Sequence, residues 1–260
     1  MTTETNPPAA APAGYRALRV ERAGAIAEVV LTGSGKGNAM GPDAWRELPE
    51  VFDALDADDS VRAVVLRGAG AHFCYGLDLP AMLGGEIQVG GEQMAAERTS
   101  LYDQVLRMQR AGNSIAACDV RLCSADARFS LREVRMAIVA DMGSLQRLPP
   151  IIGQGHTREL ALTGKDIDAA HAARIGLVNE VCDTPEAALA AARALAEQIA
   201  ANPPLVVQGV KRVLNECQGK SVEDGLRYGA LWNAAFMQSH DLGEALAAFM
   251  QRRPPEFTGR

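Results

Sequence analysis

Two acids, Glu133 and Asp141, stand eight positions apart in the stretch 119–153, DVRLCSADARFSLREVRMAIVADMGSLQRLPPIIG. Their neighbours are largely apolar, and a carboxylate in apolar surroundings costs free energy unless something needs it. Two such groups point to proton transfer on a small organic substrate. The plainer alternative is structural: Glu133 pairs with Arg132 or Arg135, and Asp141 caps the next helix. A second place for chemistry lies upstream. VRAVVLRG is a short, nearly continuous apolar run, and it leads directly into AGAHFCYGLDLPAML. Strand, Gly-rich loop, then helix is where α/β folds expose backbone N–H groups to a ligand. Asp78 in this loop reads as the cap of the helix that follows. Cys74 reads as a small apolar filler rather than a nucleophile. His72, His156, His171 and His240 are scattered, and none sits beside a Ser or Cys as a hydrolase triad requires.

These residues need elements to hold them. ALRVERAGAIAEVVLTG reads as a β-hairpin turning near Gly24. Trp45, Leu48, Val51, Phe52 and Leu55 have helical spacing, with Pro42 near the helix start and Pro49 awkwardly inside it. The apolar run VRAVVLRG predicts a strand covered on both faces. Residues 84–97 are Gly-rich and polar and predict a mobile loop over the site. A helix is expected over 98–112, a strand at ARFSL, and helices near 157–163, 168–175 and 185–200. Another helix should open at Pro203-Pro204, and 221–251 should be predominantly helical. Trp232 and Phe236, four apart, predict a packed helix interface. Strands with helices come first and helices alone follow. That order predicts a mixed α/β core over 15–195 and a helical region over 196–260 suited to oligomer contacts.

Composition narrows the partners. The 260 residues are 48% hydrophobic and 22% charged, enough for a sizeable core. The net charge is −6, and no Lys/Arg cluster interleaves with aromatics, which argues against nucleic acid. No apolar run approaches the ~20 residues of a membrane span. Residues 1–14, Pro/Ala/Thr-rich, read as a disordered tail rather than a signal peptide. The final residues form no peroxisomal or reticular address. Five cysteines without metal spacing point to reduced thiols and a cytoplasmic protein.

The blocks VRAVVLRGAGAHFCYGLDL, CDVRLCSADARFSLREV, ADMGSLQRLPPIIG and LALTGKDIDAAHAARIGLVNEV, in this order, resemble the crotonase (enoyl-CoA hydratase/isomerase) superfamily. The resemblance covers most of the chain from about residue 18. It implies a spiral of ββα units with a helical trimerising C-terminus, an acyl-CoA thioester substrate, and a homotrimer or hexamer. It implies no metal or redox cofactor. Within the superfamily the chain looks most like the dienoyl-CoA isomerase branch, which moves a 3,5-diene to a 2,4-diene. Asp141, set in VADMGSLQRLP, carries that resemblance; hydratases typically have glycine there. Glu133, in REV, matches an acid shared by both branches. The Leu77 backbone N–H matches one oxyanion-hole donor, and Tyr75, Gly76, Leu77, Asp78 and Leu79 match the loop beside coenzyme A. Lys211 and Arg212 are either phosphate contacts or a solvated face.

One departure stands out. The family places a strand, a turn and a Gly-rich helix start between the helix ending near Ser114 and the DVR motif. Here RMQRAGNSIAACDVRLCS runs straight across, roughly 20 residues shorter, where a strand alone takes ~5–6. The block would carry the second oxyanion N–H and a further acid, and no residue here is assigned to either role.

Overall fold

The computed structural model describes residues 14–33, 36–83 and 95–260. Nearly all of the expected N-terminal tail, and the expected loop over 84–97 as far as residue 94, lie outside that range. The described chain forms two compact units, residues 1–193 and 194–260.

The first unit opens with the hairpin. β1 (Leu18–Ala23) pairs antiparallel with β2 (Ile26–Leu31), and β3 (Ala63–Gly68) joins β2 in parallel. β3 is an edge strand among the described residues, and only Val65 in it is buried. The expectation of a strand covered on both faces is therefore corrected. An apolar run shows that a strand is half-buried at least, not how many neighbours it has. α1 (Pro42–Asp56) carries Pro42 in its first turn and continues through Pro49. Leu48, Pro49 and Val51 are all buried there, and burial at about 1.5–3 kcal/mol per large side chain outweighs the one hydrogen bond that Pro49 deletes. Leu48 and Val51 share a core with Leu18, Val29, Leu31, Met40 and Ala111. Glu47, almost fully buried, accepts the backbone N–H groups of Arg16 (3.0 Å) and Ala17 (2.9 Å), tying the start of β1 to α1. Glu28 on β2 is held between Arg193 and Arg67. The Arg193 hydrogen bond foremost, with Arg67, keeps its carboxyl below the usual range against the opposing effect of burial.

After the loop of interest come α2 (Leu79–Leu83) and α3 (Ala95–Ala116), which packs on α1. α3 ends in a tight turn, with the Ala117 and Cys118 amides bonded back to Asn113 and Ile115, and β4 (Leu122–Ser124) follows at once. The direct run from helix to DVR motif is thus a short link. β4 pairs in parallel with β7 (Glu180–Cys182), and β5 (Arg128–Ser130) pairs antiparallel with β6 (Asp166–Asp168). The described strands make three separate small sheets rather than one. A 3₁₀ turn, Glu133–Met136, follows β5. α4 (Ser144–Thr163) is kinked at Gly153, and α5 (Ala169–Arg174) packs with it over Ile152, Leu160, Ile167 and Val178. α6 (Pro185–Ala200) leads into the second unit.

That unit holds α7 (Pro204–Glu216), α8 (Val222–Phe236) and α9 (His240–Gln251). Trp232 of α8 packs tightly on Gly209 of α7, with the Arg212 guanidinium 5.6 Å from its ring, so the expected helix interface is present at Trp232. The chain end folds back on α9. Asp241 accepts the amides of Thr258 and Gly259, both at 2.8 Å, and Glu244 accepts a two-pronged bond from Arg253.

Candidate active site

The loop after β3 is organised around Leu77. Gly76 adopts φ +84°, a left-handed conformation open to glycine at little cost, and it turns the chain as the sequence predicts. The Met40 N–H then donates to the Gly76 carbonyl (2.7 Å), and the Asp78 N–H donates to the Met40 carbonyl (3.1 Å). This is a one-residue parallel bridge between Met40 and Leu77. In such a bridge the residues on either side of Leu77 make the bonds, so its own N–H points to the opposite edge. Among the described residues that N–H has no acceptor. It is a fixed donor without an internal duty. Asp78 is buried and accepts the Ala81 amide (3.2 Å), capping α2 as expected. Tyr75, Leu77, Asp78 and Leu79, with Lys36, Ala39 and the start of α2, line a cavity of about 610 Å³. Tyr75 is exposed, and its hydroxyl meets the His72 ring.

Asp141 lies elsewhere in the unit. It is exposed and lines a cavity of about 310 Å³ with Gln109, Asn113, Met142, Gly143, Gln146 and Arg147. The capping alternative is overturned, because Gly143 occupies the N-cap of α4. Glu133 opens the 3₁₀ turn and is half-buried. The Arg-pairing alternative is overturned as well. Arg132 binds Asp166 through both carboxylate oxygens at 2.6 Å, and Arg135 donates to the Thr163 carbonyl. Among the described residues neither the Asp141 nor the Glu133 carboxylate makes a hydrogen bond or ion pair. Apolar surroundings, read from sequence for both acids, describe neither: Val139, two positions before Asp141, and Val134, beside Glu133, are both exposed. The structure brings Tyr75, Leu77, Asp78 and Leu79 together. It does not bring Asp141 or Glu133 into the cavity beside Leu77.

Three residues that sequence reasoning missed hold these groups in place. Gln109 on α3 donates to the Asp141 carbonyl (2.8 Å). Gly112, one turn on, lets α3 approach so closely that a Cβ there would lie 2.9 Å from the Met142 carbonyl. Asn38 donates from its side-chain amide into the loop that leads to Leu77. A signal was present for Asn38 only: an Asn directly after Gly37 is a mark of a left-handed turn position.

Residues 21–260 match the model of the enoyl-CoA hydratase/isomerase family. The chain belongs to that family. It is 38% identical to the mitochondrial Delta(3,5)-Delta(2,4)-dienoyl-CoA isomerase of Dictyostelium discoideum, over 94% of this chain and 92% of the relative. It is 37% identical to the peroxisomal Delta(3,5)-Delta(2,4)-dienoyl-CoA isomerase of Arabidopsis thaliana, over 85% and 88%. The solved structure of an enoyl-CoA hydratase from Mycobacterium tuberculosis is 31% identical, superposes with a TM-score of 0.80, and is covered to 99% by 94% of this chain. The fold is therefore the crotonase-like α/β fold, and the chain is an enzyme of the enoyl-CoA hydratase/isomerase family. The alignment with the Dictyostelium relative spans 271 positions, more than the 260 residues here, so that relative carries residues with no counterpart in this chain. That agrees with the shortened stretch between α3 and β4. No described helix is long and apolar enough to cross a membrane.

Proposed function

We propose that this chain is an acyl-CoA isomerase of the dienoyl-CoA type, shifting a 3,5-diene to a 2,4-diene. The observation that carries the reading is the uncommitted carboxylate of Asp141. Its main chain is clamped by Gln109 while its side chain has no partner among the described residues, in a chain 38% identical to a dienoyl-CoA isomerase. A group kept free of structural bonds on a held backbone can exchange protons with a bound substrate.

The chemistry follows from the thioester. Its carbonyl acidifies the α-carbon, and a proton leaves there while another arrives at the ε-carbon of the flat conjugated chain. Charge collects on the carbonyl oxygen between the two events. The Leu77 N–H would hold that oxygen, and one such donor is worth about 2.7–4 kcal/mol of barrier in known cases. Asp141 would serve one end of the diene. Glu133, also unpartnered, would assist by sharing a proton or adjusting the acidity of Asp141. Closing the two acids onto one acyl chain requires substrate binding to bring the cavities at Leu77 and Asp141 into a single site.

The test is the absorbance change of a 3,5-dienoyl-CoA with the purified chain. Activity is expected, and Asp141→Asn should lower kcat by about 10²–10⁴. Crotonyl-CoA hydration that survives Asp141→Asn would support enoyl-CoA hydratase activity instead, a reading favoured by likeness to solved hydratases. Calorimetric binding of acyl-CoA without turnover would point to an impaired acyl-CoA-binding paralogue, a reading favoured by the shortened stretch. No cofactor beyond the coenzyme A of the substrate enters this scheme. The exposed Val206, Val210 and Leu214, on one face of α7, support assembly into a trimer or hexamer. The cysteines, none of them in a disulfide among the described residues, support a cytoplasmic setting.

A further inference from the structure

The side chain of Asn38 is buried and sits in left-handed backbone, φ +56°. Its Nδ2 lies 2.9 Å from the Ala69 carbonyl, 2.6 Å from that of His72 and 3.3 Å from that of Phe73. Three carbonyl oxygens around one atom admit only an N–H donor there, so the orientation of the amide is set by chemistry. These carbonyls belong to the loop that climbs from β3 to Gly76. Two residues beyond Asn38, Met40 forms the bridge that aims Leu77. Asn38 thus sits where one short segment grips the loop at its base by side chain and at its tip by backbone.

We propose that Asn38 is the positioning residue of the Leu77 amide. By gathering the carbonyls of 69, 72 and 73 it fixes the path of the loop, and through the Met40 bridge it fixes the direction of the Leu77 N–H. It touches no substrate. The inference rests on the reading of Leu77 as the enolate-holding donor, and it extends that reading to the residue that keeps the donor rigid. Preorganised donors stabilise charge because they need no reorientation during reaction. A donor on an untethered loop would lose much of that advantage.

Two substitutions separate the side chain from the backbone. Asn38→Gly keeps the left-handed conformation and deletes the donors. Asn38→Asp keeps the shape and turns a carboxylate oxygen toward three carbonyls. The first measurement is amide hydrogen exchange at Met40 and Asp78 in the ligand-free full chain. The expected result is exchange at those two amides faster by roughly tenfold or more in Asn38→Gly, with β1 and α4 amides unchanged. The second measurement is the ¹³C carbonyl shift of bound [1-¹³C]octanoyl-CoA, a saturated thioester that cannot isomerise. Wild type should move the signal downfield, and Asn38→Gly should lose most of that movement while still binding. With a 3,5-dienoyl-CoA, kcat should fall by a larger factor than KM rises, since the lost interaction is one that strengthens as charge collects on the carbonyl oxygen. If wild type binds the thioester without moving its carbonyl signal, the donor role of Leu77 fails, and the exchange data still decide whether Asn38 holds the loop. Exchange at Met40 and Asp78 within twofold of wild type in Asn38→Gly overturns the proposal, whether or not Asn38→Asp folds.

Discussion

Gly68, the last residue of β3, should be the least replaceable position near the site. Its backbone is not left-handed, so alanine meets no conformational barrier; only space forbids it. A Cβ there would lie 1.9 Å from the His72 carbonyl oxygen and 2.5 Å from that of Phe73. Those are two of the three carbonyls that Asn38 binds. Gly68→Ala must therefore push both away from the Asn38 amide. Overpacking against backbone costs about 1–3 kcal/mol. Weakening two hydrogen bonds adds about 0.5–1.5 kcal/mol each, giving about 2–6 kcal/mol in all. Gly70 is the control in the same loop: its φ is +66°, and nothing lies within 4 Å of a Cβ. Gly70→Ala should cost only the left-handed penalty, about 1–2 kcal/mol. Urea unfolding followed by circular dichroism reads the difference. With a slope of about 1–3 kcal/mol per molar, the Gly68→Ala midpoint should fall by about 0.7 M or more, and by more than that of Gly70→Ala. Equal midpoints for the two variants would refute the claim that the loop is packed against Gly68.

Two more outcomes are expected. Arg253 above all, with the Glu256 amide, holds the Glu244 carboxyl down at about 2, against an ordinary 4.5. A carboxyl lowered on folding stabilises the folded state above its unfolded value, and the contribution is lost as pH falls toward 2. Thermal melts of wild type and Glu244→Gln should therefore differ at pH 6 and converge between pH 4.5 and 2; a gap that stays constant with pH would contradict the assignment. In sedimentation equilibrium the full chain should have the mass of three or six copies, and Leu214→Glu on the exposed face of α7 should shift it toward one.

Local elements were legible where short-range chemistry decides them. The hairpin, α1 with Pro42 at its start, the Asp78 cap and the Gly76 turn each depend on residues within a few positions of one another. The long α4 was only half legible. The helix expected near 157–163 is only its last part: α4 starts at Ser144, runs through Pro149 and Pro150, and kinks only at Gly153. The surroundings of the two acids were not legible at all. Ile138 and Val139, upstream of Asp141, are exposed in space, and its main-chain partner Gln109 comes from 32 positions away.

The order of motifs, with Asp141 in its loop and Glu133 in REV, was enough to assign the family, because those blocks are contiguous strings. Only the tertiary structure decided that, among the described residues, both carboxylates lack a partner and β3 is an edge strand, and that Asn38 grips the loop beneath Leu77. Each of those depends on which distant backbone groups meet. Burial and hydrogen-bond satisfaction are properties of neighbours in space, and a neighbour 30 or more residues away leaves no periodicity to read.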